Sequence, residues 1–378
     1  MIAADRLDSR SAKLLAVEAG GRIRHLPRAR LASLFSPGDL IIANDAATLP
    51  ASLTGTHGAS GEPIEVRLVG WVSVRDPTRF VAIAFGAGDH HTRTEDRMPP
   101  PALRPGDRLT LGPLLAIVER RLGHARLFRL RFHGDRATVL AGLARHGRPI
   151  QYAHVGKPLA LWDVWTRIAA DPIAFEPPSA AFSLDWETLA AWQRCQVGFA
   201  TLTHSAGISS TGDPGLDLRL PFDEIYFIPE RTASAIALAK ATGRCIVAVG
   251  TTVVRALESA ASADGRVRAG HGIARGRIGR ETPLRIVDAL LTGVHQPGES
   301  HFELLRAFAD DLLLHQITMA FSAHAYRSHE FGDSMLIERR RADAKAETAN
   351  RCPRATSAIP LTLPSHVCGS KNVNARLF

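Results

Sequence analysis

The sequence predicts an α/β main domain that is interrupted by a smaller all-β domain. Strands and helices alternate after residue 150, whereas short β-like runs separated by Gly, Pro and Asp fill residues 56–148. We therefore assign residues 1–55 and 149–337 to a discontinuous main domain, and residues 56–148 to an inserted domain that is either a small barrel or a sandwich. Residues 338–378 show no sustained apolar period, which predicts a disordered basic tail.

The N-terminal elements begin with a predicted hairpin. The run "KLLAVEAGGRIRHL" turns at its Gly-Gly pair, and "RARLASL" predicts a short helix. The segment "SPGDLIIANDAATLPASLTG" then predicts a turn followed by a strand from Leu40 to Ala43. Asn44 and Asp45 therefore lie at the C-terminal end of that strand.

The inserted domain is predicted from four β-like runs, "PIEVRLVGWV", "RFVAIAFG", "DRLTLGPLLAIVERR" and "ARLFRLRF". Between the second and third runs, a polar and Pro-rich loop carries the adjacent pair His90 and His91. Consecutive loop residues rarely both bind a metal ion, and no neighbouring carboxylate or cysteine completes a ligand set. We therefore expect no metal here.

After residue 150 the chain alternates between helices and strands. The run "DWETLAAWQRCQ" predicts a helix with Asp185 as its N-cap, and "VGFATLTH" predicts a strand that ends at Thr203 and His204. The next helix has Pro229 near its start and Gly243 after its end. The strand "CIVAVG" and the helix "TTVVRALESAA" follow, so the pattern predicts a parallel sheet with both faces covered.

The composition is that of an ordinary folded protein, with 45% hydrophobic and 22% charged residues. The four cysteines form no C-x-x-C pair, which favours thiols in a reducing compartment and argues against zinc. No window approaches ~18 uninterrupted apolar residues, and the N-terminus lacks an apolar signal core. We therefore expect a cytoplasmic monomer without membrane contact, and the net charge of +9 permits contact with nucleic acid without requiring it.

Polar residues follow several predicted strands of the main domain. In open α/β sheets, ligands bind at the carboxyl ends of strands, so the repetition predicts a binding site at that edge. The four groups are Asn44-Asp45, Thr203-His204, Gly250-Thr251-Thr252, and Thr292 with His295.

The Gly-Thr-Thr group has both a structural and a functional interpretation. Gly250 permits a close approach of the backbone, and Thr251 or Thr252 can cap the helix that follows. Its first-turn N–H groups suit an anion, although a plain capped helix explains the same residues. Arg255 and Glu258, three residues apart, can pair with each other or reach into a cleft.

Three further residues have equally open interpretations. Asp288 lies within an apolar run and is either an exposed helix position or a buried carboxylate that needs a partner. His295, on a loop bracketed by Gly and Pro, is a candidate for proton transfer. Asp333 follows a glycine and is either a turn residue or a carboxylate that faces a ligand.

Five ordered segments together resemble one family, the S-adenosylmethionine:tRNA ribosyltransferase-isomerases of queuosine biosynthesis. The resemblance runs from about residue 10 to residue 337 and excludes the tail. The segments are "IIANDAATLPASLTG", "FDEIYFIPERTA", "GTTVVRALESA", "VDALLTGVHQPGES" and "YRSHEFGDSMLI".

The resemblance implies an α/β main domain with an inserted small β-barrel. It also implies a reaction in which the ribosyl part of S-adenosylmethionine is transferred to 7-aminomethyl-7-deazaguanine in tRNA. The ribosyl part is isomerised to give epoxyqueuosine, and adenine and methionine are released. S-adenosylmethionine is then a co-substrate and tRNA a partner, with no bound cofactor and no metal.

Matching positions carry the expected site. The resemblance implies a catalytic group of His295, Asp288 and Glu258, with His295 as a proton shuttle and the carboxylates on the ribose hydroxyls or the α-amino group. Arg255 can take the donor's carboxylate or a tRNA phosphate. The positions implied to bind substrate are Asn44, Asp45, Glu224, Tyr226, Gly250, Thr251, Thr252, Arg255, Thr292 and Asp333.

The sequence departs from the family motifs at several positions. Two motif histidines, two motif arginines, one motif glycine and one motif asparagine are replaced, and a further histidine is displaced by one residue. These departures favour two alternatives, a paralogue with a different acceptor or a non-catalytic protein that binds tRNA or S-adenosylmethionine. The positions concerned are Ala47, Ser52, Ala181, Ser183, His204, Phe222 and Gly293.

Overall fold

The computed structural model describes residues 2–4, 11–73 and 75–340. They form a nine-stranded mixed sheet flanked by helices and a closed six-stranded barrel, together with two short two-stranded sheets. An α/β domain with a small inserted barrel is therefore confirmed, and the sandwich alternative is wrong.

The strands, in chain order, are β1 (Ile2–Ala3), β2 (Lys13–Val17), β3 (Ile23–Pro27), β4 (Leu40–Asn44), β5 (Ala46–Thr48), β6 (Ser52–His57), β7 (Pro63–Trp71), β8 (Arg79–Phe85), β9 (Arg108–Leu111), β10 (Leu114–His124), β11 (Leu127–Phe132), β12 (Asp171–Ala174), β13 (Gly198–His204), β14 (Glu224–Ile228), β15 (Ile246–Val249), β16 (Gly270–Ala274), β17 (Ala289–Gly293), β18 (Arg327–Ser328) and β19 (Ser334–Glu338). The α-helices are α1 (Arg136–His146), α2 (Leu161–Val164), α3 (Trp186–Arg194), α4 (Pro214–Asp217), α5 (Glu230–Ala241), α6 (Thr251–Ala260), α7 (Ser300–Leu305) and α8 (Asp311–Ala323). Short 3-10 helices span Arg28–Leu34, Thr94–Asp96 and Ser179–Ser183.

The large sheet has the strand order β16-β14-β13-β4-β15-β17-β19-β2-β3. Its centre, β13-β4-β15-β17, is parallel, as expected. The expectation of a wholly parallel sheet is wrong, because β14 and β16 run antiparallel on one side, and β19 runs antiparallel to β17 on the other. The carboxyl ends of the four central strands nevertheless share one edge, which is where the polar groups were expected.

Both faces of the central strands are covered by apolar side chains. Along β4, Leu40 and Ile42 pack with α5, α6, α7 and α8, whereas Ile41 and Ala43 pack with α3 and two of the 3-10 helices. Because side chains alternate along a strand, a continuous apolar run such as "LIIA" is what burial on two faces requires.

The barrel closes through the order β10-β11-β8-β7-β6-β9. Its first strand begins at Ser52, inside the segment that we assigned to the main domain. Gly55 allows the closure, because a Cβ atom there would lie 1.9 Å from the carbonyl oxygen of Thr110 on β9. Val139 and Leu143 of α1 complete the apolar interior.

The barrel also contains a buried ionic cluster. Glu65, 4% exposed, lies 2.7 Å from the Nε atom of Arg67 and 2.5 Å from an Nη atom of Arg97. Burial alone would raise the pKa of the Glu65 carboxyl, but the two guanidinium groups outweigh burial and lower it. The cluster therefore depends on each charge keeping its partner.

Several local predictions are confirmed. The first hairpin is β2-β3, and the run "RARLASL" forms a 3-10 helix. Asp185 caps α3 by accepting a hydrogen bond from the Thr188 N–H at 2.7 Å, and α5 follows Pro229 directly. Within the described residues, none of the helices has the length and apolarity needed to cross a membrane.

The predicted tail is partly folded at its start. Glu338 ends β19 and accepts a hydrogen bond from the Ala19 N–H at 2.9 Å. The backbone N–H of Arg339 donates to the Asp288 carbonyl at 2.8 Å, and Arg340 forms an ion pair with Asp310. The prediction of disorder for residues 341–378 lies outside the described residues.

Candidate active site

A cleft opens beside the carboxyl ends of β13, β15 and β17. Its walls come from the loops after β12, β13, β15 and β17 and from helices α6 and α7, and they enclose about 840 Å³, including the solvent-filled mouth. Seven predicted residues line the cleft: Glu224, Gly250, Thr251, Thr252, Arg255, Thr292 and His295.

The loop between β15 and α6 depends on Gly250. This residue has a φ of +96°, a conformation that L side chains rarely adopt, and it occupies the N-cap position of α6. The expectation that Thr251 or Thr252 caps the helix is wrong, because no side chain caps it. The Thr252 hydroxyl oxygen is instead buried and lacks a hydrogen-bond partner among the described residues. Thr252 lines the cleft, so a water or a bound molecule that reaches this hydroxyl can supply the missing partner.

Arg255 is committed to the cleft wall. Its guanidinium forms an ion pair with Glu224 and donates to the carbonyls of Phe222 and Ala274, both at 3.1 Å. Glu224 also accepts a hydrogen bond from the Gly207 N–H at 2.6 Å. Because these partners occupy the guanidinium, the structure gives Arg255 a role in shaping the cleft rather than the expected role as a free anion-binding group.

His204 lies behind this ion pair. Its side chain is fully buried, and its Nε2 atom is 3.5 Å from a Glu224 carboxylate oxygen. Burial, assisted by the charge of Arg255, lowers the pKa of His204 well below its ordinary value. The histidine is therefore neutral at physiological pH.

A chain of polar groups follows β17. The His295 Nε2 atom is 2.9 Å from the Thr292 hydroxyl oxygen, and its Nδ1 atom is 3.5 Å from a carboxylate oxygen of Glu299. A carboxylate on one ring nitrogen orients the imidazole and fixes its tautomer. The ring of His301 lies 4.9 Å from that of His295, and burial lowers the pKa of His301 to about 3. His301 is therefore neutral, whereas His295 has the geometry of a proton carrier.

Two of the expected catalytic carboxylates lie away from the cleft. Glu258 accepts hydrogen bonds from the backbone N–H groups of residues 285–287 at 2.8–3.0 Å. Asp288 accepts one from the Ile246 N–H at 3.1 Å and lies 3.5 Å from Arg339. Asp288 precedes β17, so about four residues at roughly 3.3 Å each separate it from Thr292. Both carboxylates stabilise the end of the sheet that lies opposite the cleft. Neither the catalytic role nor the exposed helix position therefore fits Asp288.

Four expected substrate-binding residues also have structural roles outside the cleft. Asn44 is fully buried and bonds the backbone of His204, and Asp45 accepts from the Thr203 hydroxyl at 2.7 Å. Tyr226 packs in the core, where its ring fills the space that a side chain at position 272 would need. Asp333 accepts from the Lys13 and Arg327 N–H groups at 2.7 and 2.8 Å, so it connects β2 to β18.

The sequence reasoning missed several polar residues of the cleft. Glu176 and Ser209 line one wall, and Arg277, Ser300, His301 and Glu303 line another. Glu176, Ser209 and Arg277 come from irregular segments, and the other three from the short helix α7. The proline pair after Glu176 was the available signal, since it marks a loop close to a strand end.

Among residues 2–4, 11–73 and 75–340, two groups of side chains have ligand atoms close enough to share a metal ion, within 4.8 Å of one another. One is Asp89, His90 and His91, so the statement that no carboxylate completes the histidine pair is wrong. Asp89 accepts a hydrogen bond from the His91 backbone N–H at 2.9 Å. The other group is His154, His329 and Glu330, next to the cleft loops.

The sequence profile of a family described as "Queuosine biosynthesis protein" matches residues 1–337. The chain belongs to this family. A relative from Aromatoleum aromaticum is 32% identical over 90% of this chain and 94% of its own, and one from Syntrophotalea carbinolica is 31% identical over 82% and 87%. Both relatives are named S-adenosylmethionine:tRNA ribosyltransferase-isomerase. The resemblance seen in the motifs is therefore confirmed.

A crystal structure of an S-adenosylmethionine tRNA ribosyltransferase from Thermotoga maritima has a TM-score of 0.47 and 21% identity to this chain. The match covers 89% of this chain and 96% of that one. A similarity this low carries no conclusion about the site.

The departures from the queuosine biosynthesis motifs fall mostly behind the cleft walls. Ser183 donates to the Ala180 carbonyl at 2.6 Å, and Ser52 donates to Glu65 in the barrel at 2.8 Å. Phe222 contributes its backbone carbonyl to Arg255. The side chains of Ser183 and Ser52 therefore each have a local hydrogen-bonding role in this member of the family.

Proposed function

We propose that this protein transfers the ribosyl part of S-adenosylmethionine to 7-aminomethyl-7-deazaguanine in tRNA and isomerises it, giving epoxyqueuosine. We base this proposal mainly on the cleft, which is lined by the hydrogen-bonded pair Thr292 and His295 and by Thr252, whose hydroxyl has no hydrogen-bond partner among the described residues. The chain is also related along 90% of its length to a protein named for this reaction. The reaction releases adenine and methionine.

The chemistry requires a base for the proton next to the sulfonium. We assign this role to His295, because Glu299 orients the ring through Nδ1 and Thr292 contacts Nε2. The Thr292 hydroxyl can accept one proton while it passes on another, so it connects the ring nitrogen to the cleft.

The donor must also be held in position. The unpartnered Thr252 hydroxyl and the Thr251 hydroxyl, at the start of α6, are our candidates for the polar groups of S-adenosylmethionine. The ion pair between Arg255 and Glu224 keeps the wall rigid around them. This assignment replaces Glu258 and Asp288 as ligands of the ribose hydroxyls.

The test is incubation with S-adenosylmethionine and tRNA that carries the deazaguanine precursor, followed by nucleoside mass spectrometry. We expect epoxyqueuosine from the wild type and a rate lower by about 10²–10⁴ for His295→Gln. His315→Gln, on the exposed face of α8, is the matched control and keeps the wild-type rate.

Two outcomes would contradict the proposal. A folded wild-type chain that binds S-adenosylmethionine but forms no epoxyqueuosine would favour a different acceptor. An affinity for tRNA that does not fall with salt would do the same, because contacts to phosphates release counterions on binding.

A further inference from the structure

Glu176 is a buried acid at the junction of two cavities. It follows β12, is 8% exposed, and lines both the cleft and a smaller cavity of about 310 Å³. Its backbone is fixed against β13, because the N–H of the preceding residue donates to the Ala206 carbonyl at 2.8 Å. Glu176 therefore lines the cleft from a segment that a backbone hydrogen bond holds in place.

The hydrogen-bond partners of the Glu176 carboxyl can accommodate both its ionised and its protonated form. Tyr152 contacts one oxygen of Glu176 through its hydroxyl, which is also 3.1 Å from the Ser210 carbonyl oxygen, and the Ser209 N–H donates to the other oxygen at 3.0 Å. A tyrosine hydroxyl has one proton and can donate to one acceptor at a time. When Glu176 is ionised, Tyr152 donates to it. When Glu176 is protonated on the oxygen that Ser209 contacts, Tyr152 still donates to the other oxygen, and the carboxyl proton is left for a bound molecule.

The surroundings favour the protonated state. The carboxylate of Glu330, which is held 3.0 Å from His154, is the other charge that acts on Glu176. Burial first, and then this negative charge, raise the pKa of Glu176 to about 7. A carboxyl that titrates near neutrality can donate a proton to a leaving group and regain it from water.

Several cleft-lining residues close to Glu176 are apolar. Pro177 and Pro178 follow it in the chain, and Ile208 and Ala206 line the same part of the cleft. Such a surface suits the faces of a purine ring, whose nitrogens need a donor at the edge. An acid placed there faces the ring edge rather than the amino acid part of the donor.

We propose that Glu176 is the general acid that protonates the departing purine of S-adenosylmethionine, and that Tyr152 stabilises the carboxylate left behind. The inference rests on the proposed function. In this step the bond between the ribose carbon and the purine nitrogen breaks, and its electron pair stays on the purine. The carboxyl proton passes to the purine, and water restores the proton to Glu176.

The experiment measures adenine release from S-adenosylmethionine, with precursor tRNA present, between pH 5.5 and pH 9 (about two pH units to either side of neutrality). We expect the wild-type rate to fall as pH rises above about 7, because the acid loses its proton. Glu176→Gln lowers the rate by about 10²–10⁴ and removes this decrease, while calorimetry shows S-adenosylmethionine affinity within about threefold of the wild type. Glu187→Gln, an exposed glutamate of α3, is the matched control and behaves as the wild type.

Tyr152→Phe provides an independent readout. The phenol hydrogen bond favours the ionised carboxylate, so its loss raises the pKa of Glu176 further and moves the decrease in rate to higher pH. If the rate of Tyr152→Phe decreases at the same pH as the wild-type rate, or if Glu176→Gln keeps the wild-type rate, then Glu176 is not the acid. Either result would leave the proposed function unaffected. A wild type that releases no adenine would overturn the proposed function as well.

Discussion

Removal of the Glu258 carboxylate tests whether this residue stabilises the fold or takes part in the reaction. Its three acceptor bonds connect α6 to residues 285–287, just before β17. A hydrogen bond to a charged group contributes about 1.5–3 kcal/mol, and one of the three donors is close to solvent. We therefore expect Glu258→Ala to lower the free energy of unfolding by about 3 kcal/mol, and Tm by roughly 5–10 °C.

The assay is thermal and urea unfolding followed by circular dichroism, with S-adenosylmethionine affinity measured well below both transitions. Glu258→Gln is the graded control, since its single carbonyl oxygen can still accept two of the three hydrogen bonds, and it should lose about half as much stability. Binding should stay within about threefold in both variants, a factor that corresponds to less than about 1 kcal/mol. Unchanged stability together with abolished binding would refute the structural role and return Glu258 to the site.

The remaining predictions concern the loop, the barrel and the buried acid. Gly250→Ala places a side chain at a φ of +96°, so it should cost about 1–3 kcal/mol in urea unfolding and weaken S-adenosylmethionine binding, and an unaffected variant would contradict the role of this glycine. Arg97→Ala leaves the buried Glu65 carboxylate with one cation fewer and should cost about 3–5 kcal/mol, whereas Arg93→Ala, a surface ion pair, should cost under about 1 kcal/mol. The folded-state pKa of Glu176 is raised, so its contribution to stability is complete below the ordinary value of 4.5 and is lost as pH rises through about 7. The free energy of unfolding should therefore fall by up to about 3 kcal/mol between pH 4 and pH 8, and a fall of the same size in Glu176→Gln would rule this out.

The position of the cleft could be predicted from the sequence because parallel strands share their carboxyl edge. β15 pairs with β17 so that Val249 faces Leu291, and the next residue along each chain segment, Gly250 and Thr292, must then be neighbours. This inference needs only the strand pattern and the direction of the sheet. It succeeded for the loops after β15 and β17.

The roles of individual carboxylates could not be predicted in the same way. Asp288 and Asp333 lie in motifs that also contain cleft residues, yet their oxygens bond the backbones of neighbouring strands. A sequence motif does not distinguish a carboxylate that bonds backbone N–H groups from one that faces a ligand. Glu176 was missed for the opposite reason, because its partners Tyr152 and Ser209 are 24 and 33 residues away in the chain.

The place of β19 in the large sheet has a consequence for the order of folding. This strand, near the end of the described chain, lies between β17 and the N-terminal strand β2, and β1 pairs with β18. The first hairpin therefore cannot join the sheet until residue 338 has been synthesised, whereas the barrel consists mainly of antiparallel neighbours close in sequence. During translation we expect the barrel to fold first. Until β19 is synthesised, the edges of β2 and β17 remain unpaired and expose backbone N–H and C=O groups to chaperones and to other chains.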